Sequence, residues 1–387
     1  MKILITTDLY KVTTNGVVTS VHNLLEELES KGHDVRVLTF SDGKESYKED
    51  KVYYIKSVSL DFVYPNVRMP ISYRNSLLSE LIEWKPDVIH SQCEFFSYQF
   101  AQRIAKLTGA PLVHTYHTLY EDYVTYVIPS KWVGKRAVRK LSCIRLKKAK
   151  KIIAPTMKVY NILRSYGMKN DMDIVPSGLD LEQYVYRMND EERAAKRMAL
   201  GISKENQVIL NLGRLGTEKN IEELLCFFAD AVGEHNNLYF LIVGDGPAKK
   251  TLEELTEKLG ISKKVIFTGM VLPTLVREYY QLADVFVSAS TSETQGLTYI
   301  EAAANGLPLL CHKDTCLDEI IREGINGYQY TTKEEFLEKL NIILSSEEWR
   351  ENVAKCSEQI AKEFDKAKFA ETIESIYEKT LEEKIVQ

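Results

Sequence analysis

Residues 292–302 read SETQGLTYIEA, and the rest of the chain is best read outward from them. Gly296 follows Glu293 by three positions and Glu301 follows it by eight. This spacing predicts a loop that enters a helix at Gly296. Leu297, Ile300, Ala302, Ala303 and Ala304 suit a buried helix start. Such a start presents unpaired backbone N–H groups, here at Gly296, Leu297 and Thr298, and the positive end of the helix dipole, which together favour a phosphate. Carboxylates on either side can accept hydrogen bonds from sugar hydroxyls. A phosphate flanked by two polyols describes a nucleotide sugar. The competing reading is an ordinary exposed helix that carries two glutamates.

Upstream lies NLGRLGTEKNIEELL, residues 211–225. The apolar run VILNLG predicts a buried strand that stops at Gly213, with Arg214 and Lys219 before a helix from Ile221. Two fixed cations at a strand end can neutralise a diphosphate leaving group; they could equally be surface residues of a loop. FLIVGDGP (240–247), VIFTGMV (265–271) and ADVFVSAS (283–290) repeat the pattern of strand, then Gly or polar turn. Strands alternating with helices predict a doubly wound α/β fold with a parallel sheet, whose ligands lie beyond the carboxyl ends of the strands. Arg214, Lys219, Gly244, Glu293 and Glu301 all fall at or just after such ends.

The first half repeats this architecture. MKILITTD (1–8) is a first strand ending at Asp8, Asn15–Gly16–Val17 a polar loop, and VVTSVHNLLEELESKG a helix stopping at Gly32. DVRVLTF, PDVIHSQ, PLVHTYHT, KKIIAPT and MDIVPSGLD are further strands, the third of these carrying His114 and His117. The stretch DEERAAKRMALGISKEN (190–206) reads as a polar helical connector, and FDKAKFAETIESIYEKTLEEK as a last helix with apolar spacing at Phe364, Phe369, Ile373 and Ile376 or Tyr377.

Taken in order, the Asn15–Gly16–Val17 loop, His117, PSGLD (176–180), GRLGTEKN (213–220), VGDGP (243–247) and ETQGLTYIE (293–301) resemble the retaining glycosyltransferases of the GT-B fold. That family, of the family-four type, includes sucrose-related, mannosyl- and lipid glycosyltransferases. The resemblance spans nearly the whole chain. It implies two Rossmann-like doubly wound domains with a cleft between them, residues 1–178 and 179–365, and a C-terminal helix, 366–387, that packs back on the first domain. Where the family loop often has two glycines, this chain has Asn15–Gly16. Residues 94–129, above all HTYHTLYEDYVTYV, are similar to a segment of the bacterial diacylglycerol glucosyltransferases within that family. FFSYQF (95–100) replaces a smaller stretch, so a different acceptor pocket is expected. The likeness implies transfer of glucose from UDP-glucose to the 3-hydroxyl of diacylglycerol with retained α configuration.

The residues then take expected roles. Glu301 accepts from the ribose hydroxyls, and Arg214 and Lys219 hold the diphosphate. Gly213, Gly244 and the N–H groups of Gly296, Leu297 and Thr298 line the donor site, with Asn15, Gly16 and Val17 contributing from the first domain. Glu293 binds sugar hydroxyls and stabilises positive charge on the ring. His117 resembles the family histidine that contacts the donor sugar; standing alone it would read as a buried strand-end histidine. Asp8 could cap a turn, Glu94 could cap a helix or face the acceptor, and Glu121 and Asp122 could bind acceptor hydroxyls. No DxD-like pair is poised to hold a metal, Asp245 stands alone, and no cofactor is expected to be required, with stimulation by Mg2+ left open.

Bulk properties fit this picture. The 387 residues suit two domains, and 44% hydrophobic content suits substantial cores. No apolar run approaches the ~18 residues of a spanning helix, MKILITTDLY is not a signal peptide, and six cysteines without a CxxC pair read as reduced thiols of a cytoplasmic protein. Charge is uneven. Residues 1–175 hold 26 Lys and Arg against 18 Asp and Glu, whereas residues 176–387 hold 24 against 37. KWVGKRAVRKLSCIRLKKAKK (131–151) has ten basic residues and no acid. On a helical wheel Val133, Ala137, Leu141 and Ile144 form a stripe, Trp132 stands at the entry, and Lys135, Arg136, Arg139, Lys140 and Lys147 lie opposite; Lys148 is counted with them as a membrane-binding residue. This pattern suits a helix on an anionic membrane surface, peripheral on the inner face of the cell membrane; a core helix with a solvated basic face has the same composition. Nucleic acid is disfavoured because stacking aromatics are not interleaved. The rival expectations are a same-fold transferase using another UDP-sugar or a soluble or other lipid acceptor, and a non-catalytic nucleotide-sugar-binding membrane-associated protein.

Overall fold

The computed structural model describes residues 1–11, 15–43, 45–60, 67–119, 121 and 131–385. They form two compact units, Met1–Gly178 joined by the segment from Lys366 onward, and Leu179–Asp365.

In the first unit the runs rich in β-branched and apolar residues become strands, and both faces of the sheet are covered. The strands are β1 (Lys2–Thr6), β2 (Asp34–Ser41), β3 (Tyr47–Glu49), β4 (Val52–Ser59), β5 (Arg68–Pro70), β6 (Val88–Ser91), β7 (Leu112–Thr115), β8 (Lys151–Ala154) and β9 (Asp171–Ile174). Their order is β3-β4-β2-β1-β6-β7-β8-β9, with β5 paired to β4. Pairing is parallel except for β3 and β5, which run antiparallel to β4. In β1, at the centre, Ile3, Leu4 and Ile5 are fully buried, Leu4 facing one core and Ile3 and Ile5 the other. The helices are α1 (Gly16–Ser30), α2 (Ser76–Trp84), α3 (Phe96–Thr108), α4 (Lys131–Leu146) and α5 (Met157–Ser165).

The second unit holds α6 (Asp190–Ala199), β10 (Gln207–Leu212), α7 (Ile221–Glu234), β11 (Leu238–Val243), α8 (Lys249–Lys258), β12 (Val265–Phe267), α9 (Pro273–Gln281), β13 (Val285–Ser288), α10 (Leu297–Ala304), β14 (Leu309–His312), β15 (Gly327–Tyr330), α11 (Lys333–Ser345) and α12 (Glu347–Ala361). Its sheet has the order β12-β11-β10-β13-β14-β15 and is parallel throughout. The stretch 190–206 is more than a connector. Asn189 and Glu192 cap α6 reciprocally, and Arg197, almost fully buried, donates to Leu282 O and to Asp284 Oδ2 at 2.9 Å. Asp284 Oδ2 also accepts from Val208 N at 2.7 Å. A buried cation paired in this way fastens α6 to the entries of β10 and β13.

The last helix, α13 (Lys366–Ile385), belongs to the first unit. Phe369, Ala370, Ile373, Ile376 and Tyr377 are all buried against Ile3, Ile5, Val21 and Leu24. Burying a side chain of this size contributes about 1.5–3 kcal/mol relative to exposure. The contact is keyed by polarity too, because fully buried His90 lies 2.6 Å from the Tyr377 hydroxyl and 2.7 Å from Thr115 Oγ1. Burial pushes the His90 imidazole well below its ordinary range, with His114 and His117 adding to the effect.

Candidate active site

The second unit brings its candidate side chains to the carboxyl ends of β10, β11 and β13. β10 runs into Gly213, whose N–H donates to Val243 O, and Gly244 N–H donates in turn to Gly269 O. Gly244 has φ +134°, and a Cβ there would overlap the Gly213 carbonyl. Glycine at 244 therefore lets two strand ends approach more closely than a side chain permits. This backbone crossing delivers Arg214, and a short turn, Thr217–Lys219, delivers Lys219.

Both cations meet carboxylates. Lys219 Nζ lies 2.5 Å from Glu293 Oε1, and Arg214 Nη1 lies 3.2 Å from Glu218 Oε1. Ser292 Oγ donates to Glu218 O at 3.3 Å. The loop after β10 is thus fastened to the loop after β13, across 74 residues of sequence. Glu218 escaped the sequence reading. Its signal was the i,i+4 spacing from Arg214.

Gly296 caps α10 at φ +78°, and a Cβ there would collide with the Tyr299 ring. The Tyr299 hydroxyl is held 2.8 Å from Ser288 Oγ. Leu297 and Thr298 open the helix and are half-buried. One turn on, the Tyr280 hydroxyl donates to Glu301 Oε2 at 2.7 Å. Burial raises the Glu301 carboxyl above its usual range, and the Tyr280 hydrogen bond offsets part of that rise. Asp245 is exposed and accepts from Gly246 N. Among the described residues, no cluster of three or more His, Cys, Asp or Glu side chains is arranged to hold a metal ion.

The first unit places its residues differently. Asn15–Gly16–Val17 is the start of α1 rather than a loop. Asn15 is its N-cap, and Asn15 Oδ1 accepts from Val17 N at 2.8 Å. His117 lies beyond the end of β7, its Nε2 2.7 Å from Gln92 Oε1. Burial, with a smaller contribution from His114, lowers it to about 3, so the ring is neutral at physiological pH. Glu94 is buried, 3.2 Å from His114 Nε2. Asp8 caps α3 from a distance, its two carboxylate oxygens accepting from Ser97 N and Phe96 N at 2.7 and 3.3 Å. Glu121 does not stand ready for an acceptor hydroxyl. It is buried and clamped bidentately by Arg139, at 2.9 and 3.1 Å. Asp122 lies outside the described residues.

Known families match this arrangement in both halves. The family model for Glycosyl transferases group 1 matches residues 192–379, and that for Glycosyltransferase Family 4 matches residues 14–183. An alpha-monoglucosyldiacylglycerol synthase from Streptococcus pneumoniae is 35% identical over 85% of this chain and 75% of its own length. A second protein of that name, from Acholeplasma laidlawii, is 32% identical over 97% of this chain and 96% of its own. The chain belongs to the group 1 glycosyltransferases. Its fold is GT-B: the crystal structure of Anabaena HepE in complex with UDP superposes with a TM-score of 0.78, at 17% identity, over 98% of this chain and 100% of that one.

In this glycosyltransferase, α4 turns its apolar stripe outward. Trp132 is 71% exposed and Ile144 61%, with Val133 and Leu141 about as open as each other at 50% and 43%. The face that packs inward is the small one, Gly134, Val138, Ser142 and Leu146. Lys135 and Arg139 lie on the other side from the stripe, as the wheel expects, but the structure commits them to Glu121 rather than to a surrounding surface, Lys135 Nζ at 3.7 Å. Arg136 sits over the Trp132 ring, 5.7 Å from its centroid, and Arg136, Lys140, Lys147 and Lys148 are exposed. Among the described residues, no helix of this glycosyltransferase is long and apolar enough to cross a membrane.

Proposed function

We propose that this glycosyltransferase moves glucose from UDP-glucose to the 3-hydroxyl of diacylglycerol at an anionic membrane surface, forming alpha-monoglucosyldiacylglycerol with retained configuration. The observation that carries the lipid acceptor is α4, whose outward stripe of Trp132, Val133, Leu141 and Ile144 is flanked by exposed Arg136, Lys140, Lys147 and Lys148. Apolar side chains that enter the headgroup region, with basic neighbours, hold a helix in the plane of a bilayer. The names of the two relatives and the UDP held by the Anabaena neighbour point the same way. The enzyme is then peripheral, on the inner face of the cell membrane.

On the donor side, Arg214 and Lys219 bind the diphosphate and the first-turn N–H groups of α10 add to the field. A polyanion entering between these cations competes with Glu218 and Glu293 for them. Glu293, released from Lys219, takes the sugar hydroxyls and faces the positive charge that grows on the ring. Glu301 takes the ribose hydroxyls. His117, neutral, offers hydrogen bonds to the sugar rather than charge. The bond from the anomeric carbon to the diphosphate oxygen breaks, the bond to the acceptor oxygen forms on the same face, and the acceptor proton passes to the departing diphosphate. Arg214 and Lys219 supply the positive charge, so no cofactor is required, and Mg2+ at most stimulates.

The test is to incubate the purified protein with radiolabelled UDP-glucose and anionic liposomes containing diacylglycerol, then resolve the lipid extract by thin-layer chromatography. A labelled lipid cleaved by α-glucosidase is the expected result. No labelled lipid, with UDP-glucose binding intact, would sink the choice of acceptor.

A further inference from the structure

Between β10 and α7 the chain turns back over itself, and Glu218 is the carboxylate enclosed in that turn. Its side chain is 5% exposed, whereas that of its partner Arg214 is 31% exposed, with Nη1 3.2 Å from Glu218 Oε1. The enclosure is built by the backbone. Leu215, fully buried, donates from its N–H to Asp245 O and accepts from Ala248 N, each at 2.9 Å, which clamps the turn to the segment after β11. Lys219 N donates to Gly216 O at 3.0 Å, and Ser292 Oγ donates to Glu218 O at 3.3 Å. Gly216 lies directly under the carboxylate, and a Cβ there would overlap both Glu218 oxygens. Its φ of −109° is open to any residue. What an added side chain would disturb at 216 is therefore the seat of Glu218, not the backbone.

We propose that Glu218 is an internal competitor of the diphosphate, the group that takes Arg214 back and so speeds the release of UDP after transfer. The enclosed carboxylate stays in place, while the more exposed guanidinium can swing away from it. A carboxylate shut off from water loses much when a charged partner leaves, so its pull on Arg214 persists while the diphosphate is bound. A cation that is already engaged is only partly available, and this lowers the apparent affinity for an incoming anion. Glu293, released from Lys219, has sugar hydroxyls to take; Glu218 has no such duty in the transfer. The inference rests on the reading of Arg214 as a diphosphate ligand and adds how that site lets its product go.

The experiment is titration calorimetry of the full-length protein with UDP alone, paired with stopped-flow displacement of UDP. The proteins compared are the wild type, Glu218→Gln, Gly216→Ala, Arg214→Ala, and the double variant Arg214→Ala with Glu218→Gln. Glu218→Gln should tighten UDP binding about fivefold, the upper worth of a partly exposed ion pair, and mostly through slower dissociation. Gly216→Ala should shift affinity in the same direction, because its methyl pushes the carboxylate off Arg214 without removing a charge. It carries the test alone should Glu218→Gln fail to fold. In the Arg214→Ala background Glu218→Gln should change nothing, the mark of coupling between these two residues rather than of a loosened turn. UDP bound equally or more weakly by Glu218→Gln and Gly216→Ala, while Arg214→Ala weakens it, overturns the competitor and leaves the donor site standing. UDP affinity untouched by Arg214→Ala removes the diphosphate contact itself, and the inference with it.

Discussion

The two units hold their charges in contrasting ways. In residues 179–365 the charged groups of the site neutralise one another, Lys219 on Glu293 and Arg214 on Glu218. In residues 1–178 the carboxylates are spent on the scaffold, Asp8 on the first turn of α3, Glu94 on His114, and Glu121 on Arg139. Cations that are themselves a quarter to a third exposed can exchange partners when a polyanion arrives. Carboxylates that cap helices or clamp them cannot leave without loosening the fold. Substitutions in the first group should therefore act on turnover, and those in the second on stability or on the lipid.

The largest effect expected is at the exchangeable cations. Lys219→Ala or Arg214→Ala should lower kcat by about a hundred- to a thousandfold, the usual cost of removing a group that stabilises charge in the transition state. A partly exposed ion pair contributes only about 0–1 kcal/mol to folding, which in a domain of this size moves Tm by no more than about 4 °C. Kinetics and thermal unfolding measured on the same preparations decide the matter. If both variants lose folding in step with activity, the contrast between the units collapses.

Next in size is the surface of α4. Arg136, Lys140, Lys147 and Lys148 should each contribute about 1 kcal/mol to partition onto anionic vesicles at low salt. Changing all four to Gln should weaken co-sedimentation by roughly a hundredfold or more, less at physiological ionic strength, where the Debye length is about 8 Å. Lys135 and Arg139 should matter less for vesicle binding because Glu121 already engages them. An equal loss from either set would mean that the clamp opens on the membrane.

This difference between basic residues marks where sequence reasoning stops. The strands were legible because runs such as KILIT and VILNL need no partner to declare themselves, and the meeting of Lys219 with Glu293 was legible because both follow strand ends of one parallel sheet. The wheel of α4 identified its stripe but not which side is buried. That depends on Glu121, ten residues before the helix, and on the small inner residues Gly134 and Ser142. The capping of α3 by Asp8 was equally invisible, since 88 residues separate Asp8 from Phe96. The short antiparallel edges β3 and β5 carry too few residues for a period to show. Asn15 read as loop because the residues before a helix look polar whether or not they cap it.

A third test uses protons. Burial holds the Glu301 carboxyl above its usual range, so it takes up a proton before ordinary carboxylates do as pH falls. If the ionised form binds the ribose hydroxyls, the KM for UDP-glucose should rise as pH falls through that raised value, and Glu301→Gln should raise it about tenfold, the worth of one charged hydrogen bond. For folding the sign is the reverse. A carboxyl whose folded value is raised destabilises the native state when ionised, and that penalty is relieved as pH falls. Glu301→Gln should therefore not lower Tm at neutral pH. A KM independent of pH and of this substitution would separate Glu301 from the donor.

Glu121 supplies the opposite sign and the smallest effect. Burial pushes its carboxyl up, but the hydrogen bonds from Arg139 and Tyr166 and the nearby positive charge outweigh burial, so the net displacement is downward. A carboxyl lowered in the folded state contributes stability that is complete above its ordinary range and is lost as pH falls through the folded value. Arg139 is half exposed, so the pair is worth only about 1 kcal/mol. Glu121→Gln should then lower Tm by about 2–4 °C at neutral pH, with the deficit closing in acid, where the wild-type carboxyl is itself protonated. Vesicle binding should not weaken, since the substitution frees Lys135 and Arg139 rather than removing a cation, and UDP-glucose hydrolysis without acceptor should stay as it was. Thermal scans from neutral to acid pH, paired with co-sedimentation, read both. A Tm deficit that persists at low pH would show that Glu121 acts by its shape and not by its charge.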